Sequence, residues 1–338
     1  MKKNGFKSLV MMLALSVFAV GCGGQPAPKE GAAPKAPSLG GASTPDSIII
    51  ATGGTSGTYY PLGGGMAQIF SEKAGINASA QSTGASVENM RLIKDGQVEL
   101  AFTQGDIADY ASKGEIMFKE SGAIPNLQAI ASLYNETVQI IVAKDSPIQT
   151  VEDLKGKRVS VGAPGSGTEA NAQQILEAHG LKFEDLGKAD RLAFGESSSF
   201  IQDGTLDAAF VTAGTPTAAV NELAATKGVR VIGMDDVHIK QIVEKYPYYA
   251  EQVIPAGTYP GFEQEMKTVA VKAQLVVRAE LDEETVYSLT KSLFENLDQL
   301  KSVHAKAEQI KLETTLEGVS LELHPGAKRF FEEMGLKK

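Results

Sequence analysis

The sequence predicts an α/β protein of two lobes with a ligand cleft between them. Three observations predict it. Short apolar runs alternate with helix-spaced segments along most of the 338 residues, the pattern of sheets with helices on their faces. Two of those runs end in glycine- and hydroxyl-rich turns about a hundred residues apart, at Thr52–Thr58 and Gly162–Thr168. A third such turn, Thr212-Ala213-Gly214-Thr215-Pro216, faces the same way and starts a helix.

The first turn sets the argument. Ile48, Ile49 and Ile50 make an apolar strand, and from Tyr59-Tyr60-Pro61 onward Leu62, Met66, Ile69 and Phe70 fall at helical spacing. The first N–H groups of a helix lack internal partners and its dipole favours negative charge. Glycine lets a ligand approach the backbone, and hydroxyls add donors. Alone, this is equally an ordinary βα turn. The second copy, from Arg158-Val159-Ser160-Val161 into Gly165-Ser166-Gly167-Thr168 and a helix with Ala172, Ile175 and Leu176, suggests two lobes offering donors to one cleft.

From the amino terminus, Lys2, Lys3 and Lys7 precede an apolar run, Leu9–Val20, too short to cross a membrane comfortably. Ala19-Val20-Gly21-Cys22 reads as a lipobox, with residues 1–21 a lipoprotein signal peptide and Cys22, the single cysteine, the lipidation site. Residues 22–45 are rich in Gly, Pro and Ala and read as a disordered tether. Removing residues 1–21, which carry three lysines and no acid, takes the formal charge from −9 to −12. That acidity argues against nucleic acid.

Next, Ala78–Gln81 reads as a strand and Ala85–Lys94 as a helix, with Ser82, Thr83 and Ser86 at the handover; Ser86 reads equally as an N-cap. Val98–Gln104 is a strand with polar Gln104 at its carboxyl end, where α/β clefts form, and Asp106 opens a helix. Leu127–Tyr134 and Thr137–Ala143 read as two strands separated by Asn135 and Glu136, the second crossing to the other lobe at Lys144–Pro147. In the second lobe Arg191–Phe194 reads as a strand, Glu196–Gln202 as a helix, Leu206–Val211 and Val229–Ile232 as strands, and Val237–Tyr246 as a helix. Ile254–Gly261 is a loop, Thr268–Val277 the returning strand, and Thr285–Leu300, His304–Ile310 and Pro325–Met334 are helical. The expected lobes are 46–144 with 264–338, and 145–263.

These residues resemble the TAXI family of TRAP-transporter solute-binding proteins. The resemblance runs from Ile48 to Gly335. It rests on Thr52–Tyr60 with Pro61, on Ser82-Thr83-Gly84 with Ser86–Asn89, on Asp153–Val159, on Gly165–Thr168 and on His324-Pro325-Gly326-Ala327. It implies a periplasmic binding protein of type II fold, an exported receptor that closes on a small solute, such as glutamate, glutamine or a related organic anion, and delivers it to an ion-coupled permease. A lipoprotein receptor for an ABC importer shares the architecture, as does a receptor presenting solute to a sensor kinase. The expected partners are that permease, the membrane through the lipid, and a small carboxylate or amino acid; the receptor is expected to be a monomer without cofactor or metal.

The expected ligand contacts are Gly54, Thr55 and Tyr59 on a carboxylate; Ser82 and Ser86 beside them; and Ser166, Gly167 and Thr168 from the second lobe. Gln104, Asn135, Thr215 and Tyr259 are orienting groups. Glu136 and Asp207 are candidate acceptors for a ligand ammonium, or surface charges. Arg91 and Arg158 read as a solvated helix residue and a strand residue, so backbone and hydroxyl donors take the place of arginine. Enzyme chemistry is not expected. There is no Gly-x-Ser-x-Gly elbow or Walker lysine, the four histidines lack metal-ligand spacing, and Thr52–Thr58 lacks dinucleotide spacing.

Overall fold

The computed structural model describes residues 45–337; the expected signal peptide, Cys22 and the tether up to residue 44 lie outside the described residues. Among the described residues one ten-stranded sheet runs in the order β2-β1-β3-β10-β4-β7-β5-β6, with β8 added to β4 and β9 to β10. The first group holds β1 (Ile48–Ala51), β2 (Ala78–Gln81) and β3 (Leu100–Gln104), mutually parallel. The second holds β5 (Arg158–Ser160), β6 (Lys188–Asp190) and β7 (Ala208–Ala213), also parallel. β3 and β7 are buried at every position, as parallel strands covered on both faces must be.

Two long strands join the groups. β4 (Leu127–Ala143) pairs with β10 (Met266–Arg278) through its first half, and from Thr137 on with β7 and β8 (Val229–Ile232). β10 pairs with β3 at one end and with β9 (Ala250–Ile254) at the other. Helices cover both faces of each half. α1 (Tyr59–Ile69), α8 (Glu283–Glu295) and α10 (Pro325–Glu333) enclose a core around Leu62, Phe102, Leu289 and Phe331. α2 (Ser86–Lys94) and α3 (Gly105–Lys113) enclose one around Met90, Ile93 and Ile107. In the second half α4 (Gly167–Ala178) and α7 (Asp236–Lys245) cover Phe210 and Ile175, while α5 (Phe194–Gln202) and α6 (Ala218–Thr226) cover Val211 and Val220. A fully buried side chain of this size stabilises by roughly 1.5–3 kcal/mol, so each lobe holds its own apolar core. α9 (Leu297–Val303) and a 3-10 turn at Ala305–Gln309 lead back across α1 and β4.

The chain therefore has an α/β two-lobe architecture, as expected, with local differences. β4 is continuous through Asn135 and Glu136, which the sequence reading had placed between two strands. Their polarity interrupts the apolar run without breaking the ladder, since Asn135 pairs with Lys272 and Glu136 with Val271. The strand expected at Arg191–Phe194 lies earlier, at β6, and Phe194 already begins α5. The turn at Gly214-Thr215-Pro216 does not start a helix directly: the Thr215–Pro216 bond is cis and α6 opens only at Ala218 after Thr217. β9 falls almost wholly on residues to which the sequence reading gives no element, because its partner is a strand distant in sequence.

Candidate ligand-binding site

The carboxyl ends of β1, β2, β3, β5 and β7 and the turns that follow them surround one cavity. From the first lobe it is lined by Gly53, Gly54, Gly57, Thr58 and Tyr59, by Thr83–Ser86, and by Gln104 and Glu136. From the second come Ala163, Ser166, Gly167, Thr168, Ala193, Phe194, Thr212 and Ala213.

Asn89 knits the first-lobe turns together. Its amide donates to the carbonyls of Thr52 at 2.6 Å and Phe102 at 2.8 Å, and its oxygen accepts from the Thr83 hydroxyl at 2.6 Å. The ends of β1, β2 and β3 are thus fixed by one buried side chain. Ser82 donates to the Gly53 carbonyl at 2.9 Å and braces the glycine turn from outside. On the other side, Ser166 caps α4 by accepting from the Glu169 amide at 3.1 Å, leaving the amides of Gly167 and Thr168 among those no helix bond can satisfy. The amino ends of α1 and α4, one from each lobe, therefore open on the same space.

Glu136 lies at the wall. It is 3% exposed, accepts from Tyr59 Oη at 3.0 Å and from Tyr134 Oη at 3.4 Å, and Tyr59 in turn packs on Phe102, with ring centroids 5.0 Å apart. Burial pushes the Glu136 carboxyl up to about 8, and the hydrogen bonds from Tyr59, Gln104 and Tyr134 offset only part of it. At neutral pH it is mostly protonated. Among the described lining residues there is no lysine or arginine; Lys306, itself buried, feels Glu136, but desolvation still lowers its pKa. Two further polar atoms in the lining, Gln104 Oε1 and Thr212 Oγ1, are buried without a hydrogen-bond partner. Orphans of that kind are rare away from function.

The two lobes touch directly around this cavity. The Val87 and Glu88 amides of α2 both donate to the Gly165 carbonyl, at 3.0 and 3.1 Å, so α2 is capped by the opposite lobe. Gly167 lies so close to Gln104 that a Cβ there would collide with the Gln104 carboxamide. Deeper, Asp106 of α3 accepts from the Asn171 amide of α4 at 3.3 Å, while Asp106 Oδ1 and Asn171 Oδ1 are both buried without partners. Asn171 also donates to Tyr249 Oη at 2.7 Å, and Tyr249 to Gln174 at 2.6 Å.

Of the residues expected at the site, the cavity brings together Gly54, Tyr59, Ser86, Gln104, Ser166, Gly167 and Thr168. It does not include the other five. Thr55 is exposed at the turn tip and Ser82 is exposed behind it. Asn135 points away because neighbours on a strand face opposite sides, and its amide donates to Gln252 at 3.1 Å. Thr215 sits before the cis proline and outside the lining. Tyr259 is buried in the second lobe, with its hydroxyl between Gln139 and the Thr217 amide. Of the two candidate acceptors, Glu136 lines the cavity, whereas Asp207 is held by Arg158. Ser86 is not the N-cap of α2, a place taken by Ala85; its hydroxyl accepts from the Gln104 amide at 3.2 Å. Ala85 and Phe194 carry no chemical signature and were not singled out, and Thr212 was named only as the start of the third turn, not as a contact; an acid inside an apolar run was the signal for Glu136.

Fold and site define a two-lobe α/β architecture of the periplasmic-binding-protein type, with its cavity between the lobes. The chain belongs to the NMT1-like family, whose sequence profile matches residues 50–335. Solved structures share the fold at low identity. PhnD1 from Prochlorococcus marinus, solved with methylphosphonate, is 12% identical over 86% of this chain and 98% of its own, with a TM-score of 0.54. A protein from Bordetella bronchiseptica is 17% identical over 83% and 84%, with a TM-score of 0.53. The binding component of an ABC phosphonate transporter from Pseudomonas aeruginosa is 14% identical over 79% and 81%, with a TM-score of 0.50.

Proposed function

We propose that this chain is an exported solute-binding receptor that closes its lobes, 46–144 with 264–338 and 145–263, around a small carboxylate and hands it to a membrane permease. The observation that carries this reading is the meeting of two helix amino ends, one from each lobe, on one cavity with two unpartnered polar atoms. Unpaired amides and dipole ends favour an anionic group, and a protonated Glu136 does not repel it. Gly54, Tyr59 and Ser86 bind from one lobe and Ser166, Gly167 and Thr168 from the other, so full contact exists only in the closed form and the ligand selects it. Glutamate, glutamine and related organic anions fit this chemistry.

One solved structure of the same fold is the binding component of an ABC phosphonate transporter, which supports an ABC permease here. The glycine and His-Pro motifs support the ion-coupled TRAP class as the second reading. Uptake in cells separates the two: an ABC partner makes uptake stop with ATP depletion, a TRAP partner with collapse of the ion gradient. Lipidation at Cys22 would keep the receptor at the membrane.

A thermal-shift panel of carboxylates, amino acids, phosphonates and sulfonates tests the ligand class. At a hundredfold excess over Kd a ligand stabilises by about 2.7 kcal/mol, an easily read shift. Carboxylates are expected to give it; shifts only with neutral or cationic compounds would overturn the anion reading.

A further inference from the structure

Three metal-ligating side chains from separate elements meet outside the cavity. Glu152 opens the short helical turn Glu152–Leu154, His179 caps the carboxyl end of α4, and His238 lies in the first turn of α7. One ligand atom of each lies within 4.8 Å of the others.

The hydrogen bonds around the rings settle which nitrogens are free. His179 Nδ1 is 2.8 Å from the Ile175 carbonyl, which can only accept, so Nδ1 carries the proton. His238 Nδ1 is 2.7 Å from a carboxylate oxygen of Asp235 and donates to it. Asp235 is itself fixed, since its other oxygen accepts from the Val237 and His238 amides at 2.9 and 3.0 Å. In both neutral rings Nε2 is thus the atom with a lone pair. A carboxylate or carbonyl behind each ring is the arrangement that orients histidine ligands at metal sites. His179 is buried, and burial holds its pKa below the ordinary histidine value, which favours the neutral imidazole a metal requires.

We propose that Glu152, His179 and His238 bind a divalent transition-metal ion, Zn²⁺ being the best match, through two imidazole Nε2 atoms and one carboxylate oxygen. Two nitrogens and an oxygen suit a borderline ion, with water completing a tetrahedron. The rings stack 3.9 Å apart at 16°, so their lone pairs run nearly parallel and a shared ion requires one ring to tilt. His238 can do so: its side chain is 24% exposed in the first turn of a surface helix, and Glu152, half-exposed, faces it at 4.0 Å. His179 stays fixed.

The rival reading is a direct His238–Glu152 contact with no ion between them, and metal titration distinguishes the two. The full chain, freed of metal by a chelator, is titrated with Co²⁺ and then Zn²⁺, reading visible d–d absorption and heat. Expected are one Co²⁺ per chain with a tetrahedral band, displaced by Zn²⁺. Glu152→Gln, at an exposed position, should weaken binding at least about tenfold without lowering the melting temperature of the metal-free chain, and His238→Ala should weaken it at least as much. Asp235→Asn should weaken it on the order of 10–100-fold through ring orientation alone. No Co²⁺ band in the wild type, or variants that bind as tightly as wild type, would overturn the assignment.

Discussion

The Tyr59 hydroxyl lies 3.0 Å from Glu136, joining the first turn of α1 to the middle of the strand that crosses between lobes. The only acid among the described lining residues is thereby tied to the helix end expected to hold the ligand anion. Because burial holds the Glu136 carboxyl near 8, an arriving ammonium would draw its proton off. Calorimetry at pH 7 in two buffers of different ionisation enthalpy should therefore show proton release with an α-amino acid and none with a dicarboxylate. Glu136→Gln should cost the amino acid about 1.5–3 kcal/mol, the range for a hydrogen bond to a charged group, and the dicarboxylate far less. Equal losses for both would remove Glu136 from ammonium recognition.

Gly167 and Gln104 approach across the cleft. A Cβ at Gly167 collides with the Gln104 carboxamide, so Gly167→Ala should hinder closure and weaken ligand binding about tenfold or more. Shortening the partner in Gly167→Ala/Gln104→Ala should restore part of that loss, a coupling that a double-mutant cycle reads directly. Additive losses would mean the contact does not govern closure.

Stability should depend on pH through two buried carboxyls. Asp106 is raised from 3.8 to about 7 and Glu136 from 4.5 to about 8, both by burial. A raised acid pKa means the folded state holds a proton that the unfolded chain has lost. Its stabilisation is complete below the ordinary value and fades as pH rises through the folded one. Urea titrations from pH 5 to 8 should show stability falling, by at most about 1.4 kcal/mol per pH unit for each group. Asp106→Asn should flatten that slope, because its amide supplies a donor to Asn171 Oδ1 at every pH. An unchanged slope in that variant would contradict the assignment.

Ala85 has φ +78° and ψ −145°, a region that glycine alone adopts freely, and it lines the cavity before α2. Such backbone costs on the order of 1–3 kcal/mol. Ala85→Gly should raise the melting temperature, with a gain of about 1 kcal/mol in urea titration after the entropy of glycine is counted. A loss of stability would show that the methyl group's packing outweighs the strain.

Much of this was legible in the sequence for a physical reason: turns that use backbone amides must be glycine-rich and must follow strands. Thr52–Thr58 and Gly165–Thr168 announced themselves, and Gln104 followed from its place at a strand end. What stayed hidden depends on pairing between distant segments. Asn135 reads as an orienting group and Glu136 only as an acceptor or a surface charge, because strand continuity there is set by β10 and β7 and continuity decides which neighbour faces the cavity. Asn89 reads as a helix residue, and nothing local reveals that it accepts and donates across three turns. Tyr259 and Thr215 belong to the second lobe's own framework, which only tertiary contacts define.

Native mass spectrometry of gently purified residues 46–338, compared before and after unfolding and refolding, tests the binding of a small carboxylate between the lobes most directly. The expected result is a bound mass of glutamate or dicarboxylate size that disappears on refolding and returns when that compound is added. No bound mass, with no response to a broad panel of anions and amino acids, would contradict it.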